Sequence, residues 1–146
     1  MINVNIKDVS VSLENLPTPN NCYTVLIIKF GGKFGIGSKG KEDSDFMEEI
    51  IKLTINSWET YGLILDFSHL EYQWGNSISD VFWTAKLEKG AEFPVVILVS
   101  NLCKGALEGI RPLYQSNSDE KWLFDTLDDA ILEIQKQINI RSYAEV

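Results

Sequence analysis

Phe93-Pro94-Val95-Val96-Ile97-Leu98-Val99 is an unbroken apolar run, rich in β-branched residues and too short to stand as a helix. A strand with no polar face must be covered on both sides, and sheets covered on both sides are typically built from parallel strands joined by helices. Gly62-Leu63-Ile64-Leu65-Asp66-Phe67 is a second run of this kind. Between them, from about Ser77, Ile78, Val81, Phe82 and Ala85 recur at helical spacing, Lys86, Glu88 and Lys89 fall on the wet side, and Gly90 is a natural stop. Strand, helix and strand of these lengths make one crossover unit, which predicts a layered α/β (α+β) domain.

The remaining segments extend that unit. Ile2, Val4 and Ile6 alternate with Asn3 and Asn5, and Val9-Ser10-Val11-Ser12-Leu13 repeats the period of two, as in an edge strand or hairpin arm with one wet face. Leu16-Pro17-Thr18-Pro19-Asn20-Asn21 reads as a loop, followed by a strand from Tyr23 to Phe30 that Gly31-Gly32 closes. From Asp45 the period turns helical, with Phe46, Met47, Ile50, Ile51, Thr54, Ile55 and Trp58 on one face and Asp45 with Glu48 as a capping box. Residues 102–111 read as a short helix ending at Pro112, then a polar loop to Lys121 and a short strand at Trp122-Leu123-Phe124. Asp125 or Thr126 caps a last helix, whose stripe is Leu127, Ala130, Ile131, Ile134 and Ile138, with Asp128, Asp129 and Glu133 near its positive end. The expected order is ββαβαβαβα on a mixed sheet, in one domain spanning 1–146.

Composition limits the partners. A chain of 146 residues, 45% hydrophobic, can bury a sizeable core without disulfides or metals. Cys22 and Cys103 lack metal-type spacing and are expected as two buried free thiols. Neither a leader pattern at Met1–Ile6 nor an apolar stretch of membrane-spanning length is present, so a cytoplasmic location is expected. Twenty-one acidic against thirteen basic residues give a net charge of −8, which disfavours nucleic acid and anionic membranes and suits steered association with a basic protein.

Leu65-Asp66-Phe67-Ser68 leading through a loop into a helix, Phe30-Gly31-Gly32 after the second strand, and Trp122-Leu123-Phe124-Asp125-Thr126-Leu127-Asp128-Asp129-Ala130 near the end together resemble the STAS family of anti-sigma-factor antagonists and related modules. The resemblance covers nearly the whole chain and implies a STAS-like sheet and a non-catalytic module that binds another protein through the loop and helix after the central strand. In phosphorylated family members an Asp-Ser-Ser-Gly stretch opens that helix. Here the matching positions are Trp74-Gly75-Asn76-Ser77, so the acceptor is missing and only Ser77 or Ser79 lies near it.

Other constellations compete for a function. Gly35-Ile36-Gly37-Ser38-Lys39-Gly40-Lys41 matches the Gly-x4-Gly-Lys core of a phosphate loop, but Glu42 stands where a hydroxyl should meet magnesium, and Asp43 and Asp45 add negative charge. A flexible glycine loop is the simpler expectation. His69, the only histidine, has Asp66, Ser68 and Cys103 as nominal partners but no nucleophile elbow, and is expected in a loop. Tyr72-Gln73-Trp74-Gly75 has a fragmentary likeness to crotonase-type enzymes, in a chain much shorter than that fold. The aromatics Tyr72, Trp74 and Trp83 are of the type enriched at interfaces, with core packing as the alternative for each.

The expectation is therefore a non-enzymatic, bacterial protein-interaction module without cofactor or metal, monomeric or homodimeric. Its partner surface comprises His69, Glu71, Tyr72, Trp74, Gly75, Asn76, Ser77, Ser79, Asp80 and Trp83. An immunity protein or antitoxin that neutralises a basic toxin is the second reading, and a small nucleotide-binding or crotonase-like enzyme the third.

Overall fold

The computed structural model describes residues 5–17, 22–75, 77–109 and 121–144. The elements run β1 (Ile6–Pro17), β2 (Cys22–Lys33), α1 (Gly40–Ser57), β3 (Leu63–Glu71), α2 (Ile78–Lys89), β4 (Val95–Leu98), α3 (Lys104–Glu108), β5 (Leu123–Phe124) and α4 (Leu127–Ala144). This is the expected ββαβαβαβα order. The five strands lie side by side in chain order; β1 is antiparallel to β2, and every later pairing is parallel.

Several boundaries move. β1 runs on through Leu16 and Pro17, which pair with Tyr23 and Cys22 where a loop was expected. Proline is tolerated at the end of an edge strand, where a missing N–H costs least. β2 likewise passes through Gly31-Gly32 instead of stopping there. Gly31 and Gly32 pair with Asp8 and Ile6 on one side and with His69 and Leu70 on the other. A Cβ on Gly32, which has φ +122°, would stand 2.5 Å from the Asn5 carbonyl oxygen, so the glycine permits a close approach inside the sheet rather than ending it. The predicted segment at residues 2–4, the loop at 18–21, and the stretch 110–120 with Pro112 lie outside the described residues.

The helix α1 begins at Gly40 after a 3-10 turn at Gly37–Lys39, five residues ahead of the expected start. Asp45 is therefore inside the helix, exposed and paired with Lys41 at 2.6 Å, and forms no capping box. Met47, Ile51 and Ile55 are fully buried, Phe46 and Ile50 partly, and Trp58, just past the last turn, is half exposed. At the start of α4, the Asp129 backbone N–H donates to Thr126 Oγ1 at 3.2 Å, which makes Thr126 the cap. Leu127 is consequently turned outward, while Ala130, Ile134 and Ile138 carry the buried stripe. Lys86 is not simply solvated: its ammonium donates to the Ala91 and Phe93 carbonyls at 3.1 and 2.7 Å, tying off the end of α2 at Gly90.

Two apolar layers flank the sheet. Leu26, Ile28, Phe30, Leu63, Leu65 and Phe67 face α1, α2 and α3. Val25, Ile27, Ile64, Val96, Leu98 and Phe124 face α4. All four residues of β4 are buried, as its sequence demands. Cys103 is a buried free thiol, while the Cys22 side chain lies outside the described residues. No described helix is long and apolar enough to cross a membrane.

Candidate functional site

β2 and β3 are parallel neighbours, so the loops that follow them leave the sheet at the same end. These are the glycine loop at 34–39 and the aromatic loop at 72–75, which are distant in sequence and joined in space. The Phe34 N–H donates to the Glu71 carbonyl at 2.8 Å and the Gly37 N–H to the Trp74 carbonyl at 3.3 Å. The Phe34 and Tyr72 rings meet edge to face, with centroids 5.4 Å apart. Gly37 has φ +62°, a conformation that favours glycine, and a Cβ there would reach within 2.7 Å of the Trp74 ring. The indole thus lies over a bare backbone position.

Asp43 anchors the glycine loop from beneath. Its carboxylate is fully buried and accepts hydrogen bonds from the backbone N–H of Gly35 at 2.8 Å, from that of Asn5 at 2.7 Å and from the Asn5 amide at 3.2 Å. The sequence shows only acidic crowding here, because two of the three donors come from Asn5, 38 residues away along the chain. The same kind of bonding occupies four of the backbone N–H groups that a phosphate could use. Gly35 N–H is held by Asp43, Gly37 N–H by Trp74, Lys39 N–H by Ile36, and Gly40 N–H by Gly37 and Ser38. Lys41 turns to Asp45, whose hydrogen bond and charge push the ammonium pKa up. The loop is a turn closed largely on its own backbone and on Asp43.

The predicted surface residues separate into groups. Trp74 is 61% exposed and Ile36 37% exposed, so both present apolar surface at this pole. Asp80 is exposed in the first turn of α2. Tyr72 is buried: its N–H donates to the Leu102 carbonyl and its hydroxyl to the Gly75 carbonyl, and burial pushes its phenol pKa up to about 12. It supports the loop from within rather than lying on its surface. Gly75 has φ +138° and lies against Gly37. Ser77 precedes α2 with its hydroxyl buried and unbonded, and Ser79 lies half-buried two residues on. Trp83 packs partly into the core, edge to face with Phe82. Asn76 lies outside the described residues.

His69 and Glu71 are on β3 rather than in a loop, because that strand outruns its apolar run. His69 stands beside Gly31, and its Nδ1 is 3.1 Å from Ser68 Oγ, whose hydroxyl also donates to Asp66 at 2.6 Å. A nucleophilic relay would place the imidazole between serine and carboxylate. Here the carboxylate holds the serine directly. Cys103 is buried, its thiol directed at the Phe67 carbonyl at 3.4 Å, and burial raises its pKa away from the reactive thiolate. Among the described residues no cluster of His, Cys, Asp and Glu has a metal-holding arrangement.

Lys33, Lys39 and Lys41 are exposed, as are Glu42, Asp45 and Asp80, and Lys41 feels the charges of both Asp45 and Asp80. Glu48, half-buried next to Thr84 of α2, has its pKa raised by burial first and by Asp80 second. The uniform strand order matters as well. Open α/β sheets form their ligand crevice where the order reverses, and the parallel strands β2 to β5 contain no reversal. Trp74 and Ile36 are the exposed apolar side chains at this end of the two loops.

A mixed sheet entered by an antiparallel hairpin, with three helices on one face and the last on the other, is a STAS-like fold. An anti-sigma factor antagonist from Mycobacterium paratuberculosis has this architecture, with a TM-score of 0.51 over 86% of this chain and 95% of that one, at 18% identity. A Shewanella loihica protein with a SpoIIAA-like fold matches at a TM-score of 0.47 and 17% identity, over 88% of this chain and 96% of that one. No family model and no curated protein matches the sequence.

Proposed function

We propose that this chain is a regulatory protein-interaction module that docks a protein partner on the pole formed by the glycine and aromatic loops. The observation that carries the reading is Trp74, a large aromatic left mostly exposed yet seated on Gly37 and tied through its own carbonyl to the opposite loop. A side chain held in place before binding loses little freedom when buried, which is what an interface anchor requires. Ile36 widens the apolar contact, and Asp80, Lys39 and Lys41 form a polar rim. The anti-sigma-antagonist-like fold supports a regulatory role, and the absence of a strand-order reversal favours a protein surface over a small ligand. With Ser77 Oγ buried, the docking pole is read as acting without the family's serine switch.

Affinity capture on the immobilised chain, followed by surface plasmon resonance with the captured protein, tests this. Trp74→Ala should weaken binding by about 2 kcal/mol, roughly thirtyfold, while leaving the fold intact. Unchanged affinity for a folded Trp74→Ala would move the docking surface elsewhere.

A further inference from the structure

We infer that β1 is a self-association edge, pairing antiparallel with β1 of a second copy of this chain about a two-fold axis through Val11. β1 is the outer strand of the sheet, and its far side has no strand partner among the described residues. Edge strands are commonly protected by lysine, proline or a bulge. Here the only lysine, Lys7, lies at the irregularity between Ile6 and Asp8, and the only proline, Pro17, is the last residue. From Asp8 to Leu16 the strand is regular and carries neither.

This unprotected stretch is also apolar on the side that carries α1 and α2. Val9, Val11 and Leu13 oppose the core residues Phe30, Ile28 and Leu26 of β2, yet they are 38%, 43% and 38% exposed. Their row continues the core layer past the last strand that a helix covers. On the other face Asp8, Ser10, Ser12 and Glu14 are exposed and polar.

The order of residues identifies the occupant. Asp8-Val9-Ser10-Val11-Ser12-Leu13-Glu14 reads alike in both directions: acid, aliphatic, serine, valine, serine, aliphatic, acid. An antiparallel strand brought up by a two-fold axis perpendicular to the sheet keeps each face on its own side. Centred on Val11, it places Val11 against Val11, Val9 against Leu13, and Ser10 against Ser12. Apolar residues meet apolar ones, and hydroxyls meet hydroxyls, on the appropriate faces. A foreign strand would require no such symmetry, whereas a second copy matches every position from Val9 to Leu13. The cost is at the ends, where Asp8 of each copy meets Glu14 of the other, and both chains carry a net charge of −8. The association is therefore modest and must strengthen as salt screens these carboxylates.

The assay is sedimentation equilibrium of the purified chain across the micromolar to submillimolar range. The mass should rise toward twice the monomer with concentration, and dissociation should tighten a few-fold between low and high salt. Val11→Lys, at an exposed position that tolerates the change, should hold the chain monomeric, while Leu132→Lys on exposed α4 surface should leave the dimer intact. In a Cys22→Ser, Cys103→Ala background, Val11→Cys should crosslink to itself on oxidation. Val9→Cys should crosslink only when mixed with Leu13→Cys, since directly opposed residues lie within disulfide reach. A monomer at every concentration, a dimer untouched by Val11→Lys or weakened by salt, or a Val9 self-crosslink would each overturn the inference. No partner protein enters the assay, so its outcome is separate from that of the Trp74 test.

Discussion

Replacing Asp43 by alanine removes the acceptor on which the glycine loop rests. Three donors lose their partner, but not equally. Asn5 is exposed and its groups return to water for little cost. The Gly35 N–H is in a buried bond and is left without an acceptor, a loss of about 1–3 kcal/mol for a stranded donor, with more because the bond was to a carboxylate. Loss of an acidic group from the first turn of α1 adds roughly 0.3–1 kcal/mol. The better helix propensity of alanine returns about 0.5 kcal/mol. The net expectation is about 1–4 kcal/mol of destabilisation. Asparagine is no true substitute, because its NH₂ would face one of the N–H donors, and it should fall between alanine and the parent. Urea denaturation followed by circular dichroism gives the energy, and amide hydrogen exchange gives the location, since Gly35 and Gly37 should lose protection first. A midpoint shift worth less than about 0.5 kcal/mol, with Gly35 still protected, would refute this account of the loop.

Leu98→Ala should cost about 2–4 kcal/mol and Val96→Ala somewhat less, because both side chains fill the layer under α4; chemical denaturation reads the difference. Tyr72 has its phenol pKa raised to about 12 in the folded chain against about 10 when unfolded, so the unfolded state ionises first as pH rises. Stability tied to Tyr72 should be fully present below about pH 10 and fall between about pH 10 and 12, and Tyr72→Phe should flatten that part of a stability-against-pH curve.

The layers of the fold were legible because burial leaves a strong trace in sequence: β4 is apolar at every position, and Ala130, Ile134 and Ile138 repeat at helical spacing. What was hidden belongs to places where backbone rather than side chain decides. Gly31 and Gly32 look like a stop, yet they lie inside a strand that needs them for close approach. Asp45 looks like a cap, yet the helix starts earlier because the 3-10 turn and Asp43 hold the preceding loop in place. The aromatic loop is visible in the sequence as a candidate site, whereas its partner loop reads as a separate motif. Only the parallel pairing of β2 with β3 brings Gly37 beneath Trp74. Likewise, Tyr72 and Trp74 are two residues apart and chemically alike, and sequence does not tell the buried ring from the exposed one.

The two faces of the sheet are covered at different moments of the chain's synthesis. The first face receives α1, α2 and α3 in step with the strands they connect, whereas Val25, Ile27, Ile64, Val96, Leu98 and Phe124 wait for α4. Until α4 has left the ribosome, a nearly complete sheet carries one bare aliphatic wall, the surface on which nascent chains adhere to one another or to a chaperone. Loss of α4 would therefore leave this protein at its most adhesive.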